Sequence, residues 1–160
     1  MGNEESAGSK LSLEEFLPYR LSVTTNLVSN LVAAAYRQLF DIDIPEWRLI
    51  AVLAERLELN QQGLGEATRM DKLTVSRAAA RLAKRGLILR RTSELDRRNQ
   101  LLSLSDDGRA LYDHVAPKAL EIEKTIFARL SERQRAELGT ILREIEAAAI
   151  AVAPEILSRR

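Results

Sequence analysis

Basic side chains are concentrated in one segment of this sequence, residues 69–98. The segment holds ten Lys or Arg residues against three acidic residues, so its formal charge is +7. The other residues hold fourteen basic and twenty acidic residues, a charge of −6, which is why the whole chain carries only +1. A basic segment on an acidic body is the charge distribution of a polyanion-binding protein, and duplex DNA is the polyanion considered first.

The residue types that most enzymatic and metal chemistry requires are scarce. The chain has no cysteine and one histidine, His114, so disulfides, thiol redox switching and thiolate metal sites are excluded. A Ser-His-acid triad would have to use His114, and no nucleophile-elbow motif accompanies it. Asp106 and Asp107 resemble a catalytic carboxylate pair, but they follow Ser105 and suit the first turn of a helix. We therefore expect a protein that is not an enzyme and uses no metal or other cofactor.

The length and composition predict a globular cytoplasmic protein. A chain of 160 residues with 46% apolar residues has the size and composition of one folded domain. No apolar run approaches the roughly 18 residues that a membrane span requires, so we expect no membrane partner. Residues 1–10, MGNEESAGSK, are polar and acidic and lack the apolar stretch of a secretion signal, so they are expected to form a disordered tail.

Capping residues and apolar spacing predict the helices. Pro18 suits the first turn of a long apolar helix, and Asp43 with Glu46 has capping-box spacing for the next one. Asn60 and Asp71 are further N-cap candidates, and Gly86 suits the end of a helix. The predicted helices are about 19–40, 44–55, 61–67, 72–84, 105–130 and 131–152, and the predicted strands are about 87–91 and 100–104.

This order of elements predicts a winged helix-turn-helix fold. The class is mainly α (α+β), with six helices and a two- or three-stranded β-wing. The helix beginning at Lys72 has a polar leading edge that suits the major groove of DNA, where each base pair has a distinct pattern of donors and acceptors. Arg81, one turn beyond that edge, would meet the phosphate backbone, and an arginine at the tip of the wing could enter the minor groove.

Residues 70–88 (MDKLTVSRAAARLAKRGLI) and 96–112 (DRRNQLLSLSDDGRALY) resemble the multiple antibiotic resistance regulator (MarR) family of winged-helix transcription factors. The resemblance covers about Asp43–Tyr112 and includes WRLIAVLAE, residues 47–55, and the Asp-x-Arg pattern of the wing at residues 96–98. It implies a DNA-binding regulator. The long helices on either side also suit this family, which uses them to dimerise.

The resemblance also implies roles for individual residues. Arg98 would insert into the minor groove, Asp96 would hold the wing in shape, and Lys72–Arg77 would meet the major groove. Leu73 departs from the family, whose members more often carry a small or polar residue there, so it either contacts a thymine methyl group or is neutral. The predicted DNA-binding residues are Lys72, Leu73, Thr74, Ser76, Arg77, Arg81, Asp96, Arg97 and Arg98.

Apolar residues of the outer helices predict a dimer, and the predicted domains follow. Residues 41–112 are assigned to the DNA-binding domain, and residues 11–40 and 113–160 to a helical dimerisation region. A two-fold homodimer would place two recognition helices about one DNA turn (~34 Å) apart and require a pseudo-palindromic operator.

The resemblance further implies a small effector, bound between the dimer helices and the winged-helix body, that lowers DNA affinity. Because cysteine is absent and histidine is single, a small organic molecule is the expected signal: an aromatic or acyl carboxylate, with a coenzyme A thioester as one candidate. The predicted effector-binding residues are Tyr19, Arg20, Asn26, Tyr36, Trp47, Arg48 and His114. We expect a repressor of transcription.

A second interpretation stays open at this point. Winged helices also serve as protein-interaction or scaffold modules without specific DNA binding. In that case Arg90 and Arg91 would belong to a solvated basic face.

Overall fold

The computed structural model describes residues 11–92 and 100–158, with side chains up to residue 155. Its helices and strands in chain order are α1 (Leu17–Phe40), α2 (Ile44–Arg56), β1 (Glu58–Asn60), α3 (Gln61–Thr68), α4 (Lys72–Lys84), β2 (Ile88–Thr92), β3 (Gln100–Leu104), α5 (Asp106–Ile126) and α6 (Glu132–Ser158). The predicted six helices are confirmed. The chain divides into two compact units, residues 1–117 and 118–160, and the division falls inside α5.

Side-chain caps fix the starts of α2, α3 and α4 where the sequence predicts them. The backbone N–H of Glu46 donates to Asp43, and the backbone N–H of Asp43 donates to Glu46, each over 2.9 Å, which completes a capping box. Asn60 accepts from the N–H of Gly63 over 2.7 Å. Gly86 follows the end of α4 with φ +71°, a left-handed conformation that glycine adopts without strain.

The core of the first unit lies between α2, α3, α4 and the sheet. Apolar side chains with no solvent exposure come from three helices, and the sheet closes the core with Leu102, which is 1% exposed. The helical members are Leu49, Ile50, Leu53, Leu64, Val75, Ala78, Ala79 and Leu82. Because α4 gives this core a stripe at i, i+3, i+4 and i+7, its opposite face must point to solvent.

The sheet has three antiparallel strands in the order β1-β3-β2. The two predicted strands form the β2–β3 hairpin, in which Ile88 pairs with Leu104 and Thr92 pairs with Gln100. Strand β1 was not predicted; it pairs Glu58 with Ser103 and Asn60 with Leu101. Three residues are too few to show an alternating pattern, and the segment becomes a strand only because β3 lies beside it.

Two predicted helix ends are wrong. The fifth helix ends at Ile126 and not near residue 130, because the chain tightens into turns in which Ala128 and Leu130 donate to carbonyls three residues back. The sixth helix does not end near Val152 but continues through Pro154 to Ser158. Proline removes one N–H donor and crowds one carbonyl, which can bend a helix without ending it. The capping box at its start is confirmed, since Ser131 and Gln134 bond reciprocally.

Candidate nucleic-acid interface

Helix α4 is fixed at its start by Asp71. The N–H and the hydroxyl of Thr74 donate to the two carboxylate oxygens of Asp71 over 2.9 and 2.6 Å. The hydrogen bond from the Thr74 hydroxyl, more than any other contact, holds the pKa of Asp71 below its usual value. Thr74 was predicted to bind DNA, whereas in the structure its hydroxyl is engaged within the cap.

The outward face of α4 carries the predicted leading edge. Lys72, Leu73 and Arg77 are exposed, while Thr74 and Ser76 are partly buried. Leu73 is 57% exposed, so its side chain is accessible to a surface that packs on this face. One helix face therefore offers two cations, two hydroxyl groups and an apolar group, which are the groups that contact phosphates, base edges and thymine methyl groups.

The wing begins and ends in the β2–β3 hairpin. Residues 93–99 lie between the two strands and outside the described residues, so the predicted Asp96, Arg97 and Arg98 lie there too. The described strands place the two ends of that segment beside each other, since Thr92 pairs with Gln100.

An ion pair braces the base of this wing. The Arg91 Nη2 donates to Glu58 Oε2 over 2.6 Å, and the Arg91 Nε donates to Glu58 Oε1. Because β3 lies between β1 and β2, this pair joins the two outer strands across the middle one. The hydrogen bond from Arg91 is the main cause that lowers the pKa of Glu58. Arg91 therefore bonds within the protein, and does not belong to a purely solvated basic face.

The Glu58–Arg91 pair makes an acid-sensitive contribution to stability. Since the pKa of Glu58 is lowered by folding, its contribution is present above its usual value of 4.5 and is lost as the pH falls through the folded-state pKa. We expect Glu58→Gln to flatten the fall of the unfolding midpoint with pH between about pH 5 and pH 3. Thermal melts over that range measure it, with the exposed Glu55→Gln as the matched control. A Glu58→Gln curve parallel to that of the wild type would contradict the expectation.

Arg81 lies in a different environment from the one predicted. Its Nε donates to Glu46 over 3.0 Å and its Nη2 donates to Asp43, so its charge is paired with the two carboxylates that cap α2. Arg85 donates to the backbone carbonyl of Asp41 over 2.7 Å. Arg81, Arg85 and Arg91, which are among the eight described basic residues of segment 69–98, thus bond to groups outside the segment. The charge available to a polyanion is correspondingly smaller than the sequence suggests.

The predicted effector-binding residues are only partly brought together. The Tyr36 and Trp47 rings meet edge to face with centroids 5.6 Å apart, and Trp47 stacks on Tyr112 at 5.7 Å. Burial raises the pKa of Tyr36. The Arg109 guanidinium lies 5.6 Å from the centroid of the Tyr112 ring. The other predicted residues are exposed: Tyr19, Arg20, Asn26, Arg48 and His114.

Sequence reasoning missed Tyr112 and Arg109. Their spacing of three residues on one helix places both side chains on the same face, and this was the available signal. The partner of that face, Trp47 on α2, could not be identified from spacing along one helix.

Within residues 11–92 and 100–158, no three His, Asp or Glu side chains are grouped so that they could hold a metal ion. Across the same ranges, no helix combines the length and apolar composition that crossing a membrane requires.

The architecture is that of a winged helix-turn-helix protein. Helices α3 and α4 form the helix-turn-helix, and one face of α4 is exposed to solvent. The β2–β3 hairpin, together with strand β1, forms the wing. Residues 40–99 match the model of the MarR family. Over these residues the chain is similar to that family.

Individual proteins that are similar to this chain are named as regulators of transcription. The organic hydroperoxide resistance transcriptional regulator of Bacillus subtilis is 34% identical over 94 residues, which cover 57% of this chain and 61% of that protein. The homoprotocatechuate degradative operon repressor of Escherichia coli is 26% identical over 99 residues, covering 62% and 67%. The chain thus spans about 60% of the length of the first of these relatives.

A solved structure extends the similarity over the fold. The MarR-family regulator Sco3205 of Streptomyces coelicolor, in complex with DNA, has a TM-score of 0.79 and 25% identity, covering 90% of this chain and 92% of that one.

Proposed function

We propose that this protein is a transcriptional regulator that binds a pseudo-palindromic DNA operator as a homodimer. The observation that carries the proposal is the division of α4 into two faces. One face is buried in the core through Val75, Ala78, Ala79 and Leu82, and the other presents Lys72, Leu73 and Arg77 to solvent beside a β-hairpin wing. Sco3205, which has the same fold, was solved with DNA.

Each predicted residue has a role in this proposal. Lys72 and Arg77 contact phosphates or guanine edges, and Leu73 packs on a thymine methyl group. Ser76 donates to a phosphate, as does Thr74 if its hydroxyl turns away from Asp71. In the wing, Asp96 holds the shape of the tip while Arg97 and Arg98 reach the backbone and the minor groove.

The domain assignment is part of the proposal. Residues 41–112 bind DNA, and residues 11–40 and 113–160 hold the two protomers together. The protein acts in the cytoplasm and performs no enzymatic reaction.

The sign of regulation is proposed to be repression, relieved by a small organic effector. One relative is named a degradative operon repressor. The Tyr36–Trp47–Tyr112 ring cluster, with the cationic Arg109 beside it, suits an aromatic or acyl carboxylate, including a coenzyme A thioester. Such an effector lowers DNA affinity only if it binds one state of the dimer more tightly than another. The preferred state must be one in which the spacing of the two recognition helices differs from that of the DNA-competent state.

A salt titration of DNA binding tests the proposed function. The probe is duplex DNA selected from a random pool, measured by fluorescence anisotropy with the full chain between 50 and 200 mM KCl. We expect affinity to fall by about 10³-fold or more over that range, because several phosphate contacts release counterions. Arg98→Ala is expected to weaken binding by about 1–3 kcal/mol, and Arg133→Ala, which removes an exposed arginine of α6, is the matched control.

Two outcomes would contradict parts of this proposal. Failure to select any duplex, or affinity independent of salt, would favour a winged-helix scaffold without specific DNA binding. Equal affinities of Arg98→Ala and Arg133→Ala would remove Arg98 from the interface and leave the function standing.

A further inference from the structure

The second half of α4 is attached to α2 by a network of ion pairs. The Arg81 Nε lies 3.0 Å from Glu46 Oε1, and the Arg81 Nη2 bonds to Asp43 Oδ2. These two carboxylates also form the capping box of α2. One network therefore joins the first turn of α2 to the helix that carries the DNA-facing residues.

The environment of Glu46 makes this network costly to break. Glu46 is only 4% exposed and is the one buried charged residue among those described. A buried carboxylate that loses its cation keeps the desolvation penalty without compensation. Arg81 supplies that cation, and without it Glu46 would keep only the hydrogen bond from the Asp43 N–H.

Beside this network, hydrogen bonds and ion pairs add to the apolar packing of Leu82 in the core. An open cavity of about 540 Å³ lies next to the network, lined by Ile42 and seven charged side chains. Arg85, one turn beyond Arg81, donates to the carbonyl of Asp41 in the loop between α1 and α2. Hydrogen bonds and ion pairs thus act together with the buried Leu82 to set the position of this helix end.

We propose that Arg81 is a positioning residue for the recognition helix and not a phosphate contact. By pairing with Asp43 and Glu46 it fixes the tilt and rotation of α4 on α2, and so the direction in which Lys72 and Arg77 project. The inference rests on the proposed function. It replaces the sequence-based expectation for Arg81, because a phosphate would have to compete with two carboxylates already in place.

The Glu46→Gln variant distinguishes a phosphate-binding Arg81 from a positioning Arg81, because the two roles predict opposite changes in DNA affinity. Glu46→Gln keeps an oxygen that can accept from the Asp43 N–H, but it removes one of the two carboxylates that are paired with Arg81. A phosphate-binding Arg81 would then bind DNA as well as before or better. A positioning Arg81 would lose its anchor, and DNA affinity would fall.

The experiment measures the affinity of the full chain for duplex DNA over a KCl series. The variants are Arg81→Gln, Glu46→Gln, the double variant and Lys72→Gln. Circular dichroism first shows that each variant is folded at the temperature used. We expect Arg81→Gln and Glu46→Gln each to lower affinity about tenfold and the double variant to lose little more, since both remove one interaction. The slope of log affinity against log salt should stay at the wild-type value. Lys72→Gln, the phosphate-contact control, should reduce that slope by about 0.9.

Several results would overturn the proposal. They are a reduced salt slope for Arg81→Gln, additive losses in the double variant, unchanged affinity of Arg81→Gln, and unchanged or increased affinity of Glu46→Gln. Failure of the proposed function is distinguishable from all of these, because the wild-type chain itself would then show no salt-dependent binding.

Discussion

Gly108→Ala is expected to destabilise the protein by about 3 kcal/mol, a large part of the stability of a small domain. A Cβ atom built on Gly108 would lie 2.0 Å from the backbone carbonyl oxygen of Leu87 and 3.3 Å from a methyl group of Leu104. Real Cβ atoms essentially never come within 3.0 Å of a heavy atom that belongs to a residue other than their own and its two chain neighbours. Because the nearest group is backbone, no side-chain rotation can relieve the contact.

The clash would fall at the junction between the recognition helix and the wing. Leu87 lies between α4 and β2, and its carbonyl accepts from the N–H of Ser105 over 3.1 Å. The Ser105 hydroxyl donates to the carbonyl of Gly86 and accepts from the N–H of Gly108. Displacing α5 from this junction would therefore disturb α4 and the wing together, so DNA affinity should fall along with stability.

Urea unfolding followed by circular dichroism measures the effect, with Gly139→Ala as the matched control. A Cβ on Gly139 would meet nothing closer than the end of the flexible Arg143 side chain, at 3.6 Å. That variant should gain up to about 1 kcal/mol from the better helix propensity of alanine. A Gly108→Ala protein as stable as the wild type would show that α5 can move away from Leu87 at little cost.

Local signals made the helix starts predictable. A cap is a contact between residues three apart, so Asp43 with Glu46, Asn60, and Ser131 with Gln134 could be found from spacing alone. The same holds for the apolar stripe of α4, which determines the exposed face and thereby the candidate site. Much of the winged-helix frame follows from these short-range rules.

Several features that the sequence did not reveal depend on residues far apart in the chain. Arg81 and Glu46 are 35 residues apart and Arg91 and Glu58 are 33 apart, so their charges could only be counted as basic surface. Gly108 gave no sign of its close approach to Leu87, because the carbonyl that it faces belongs to another element. Strand β1 likewise depends on pairing with β3 and not on its own composition.

A charged residue on the apolar surface of α1 is expected to dissociate the proposed dimer. Helix α1 exposes large apolar side chains along most of its length, including Leu17 at 71%, Leu27 at 68% and Leu31 at 57%. Helix α6 exposes Ile141, Ile145 and Ile150, whose exposed fractions are 40–52%. Exposed apolar surface of this extent is typical of a protein interface.

We expect the wild-type chain to have about twice its 17.9 kDa mass at micromolar concentration, and Leu31→Glu to have close to the monomer mass. Burying the new carboxylate between two protomers without a partner is more costly than leaving the interface open to water. Light scattering measures the mass. Leu57→Glu is the matched control, because Leu57 is 71% exposed between α2 and β1, outside the predicted dimerisation region.

Dissociation should also weaken operator binding by about 100-fold or more, because two linked recognition helices bind with an effective concentration that single ones lack. The loss should be small on a DNA fragment that carries one half-site, since a monomer retains its own phosphate and base contacts. A monomeric wild-type chain, or a Leu31→Glu protein that remains dimeric, would contradict the assignment of α1 to the interface. Equal losses on one and two half-sites would instead show that Leu31→Glu damages the DNA-binding unit itself.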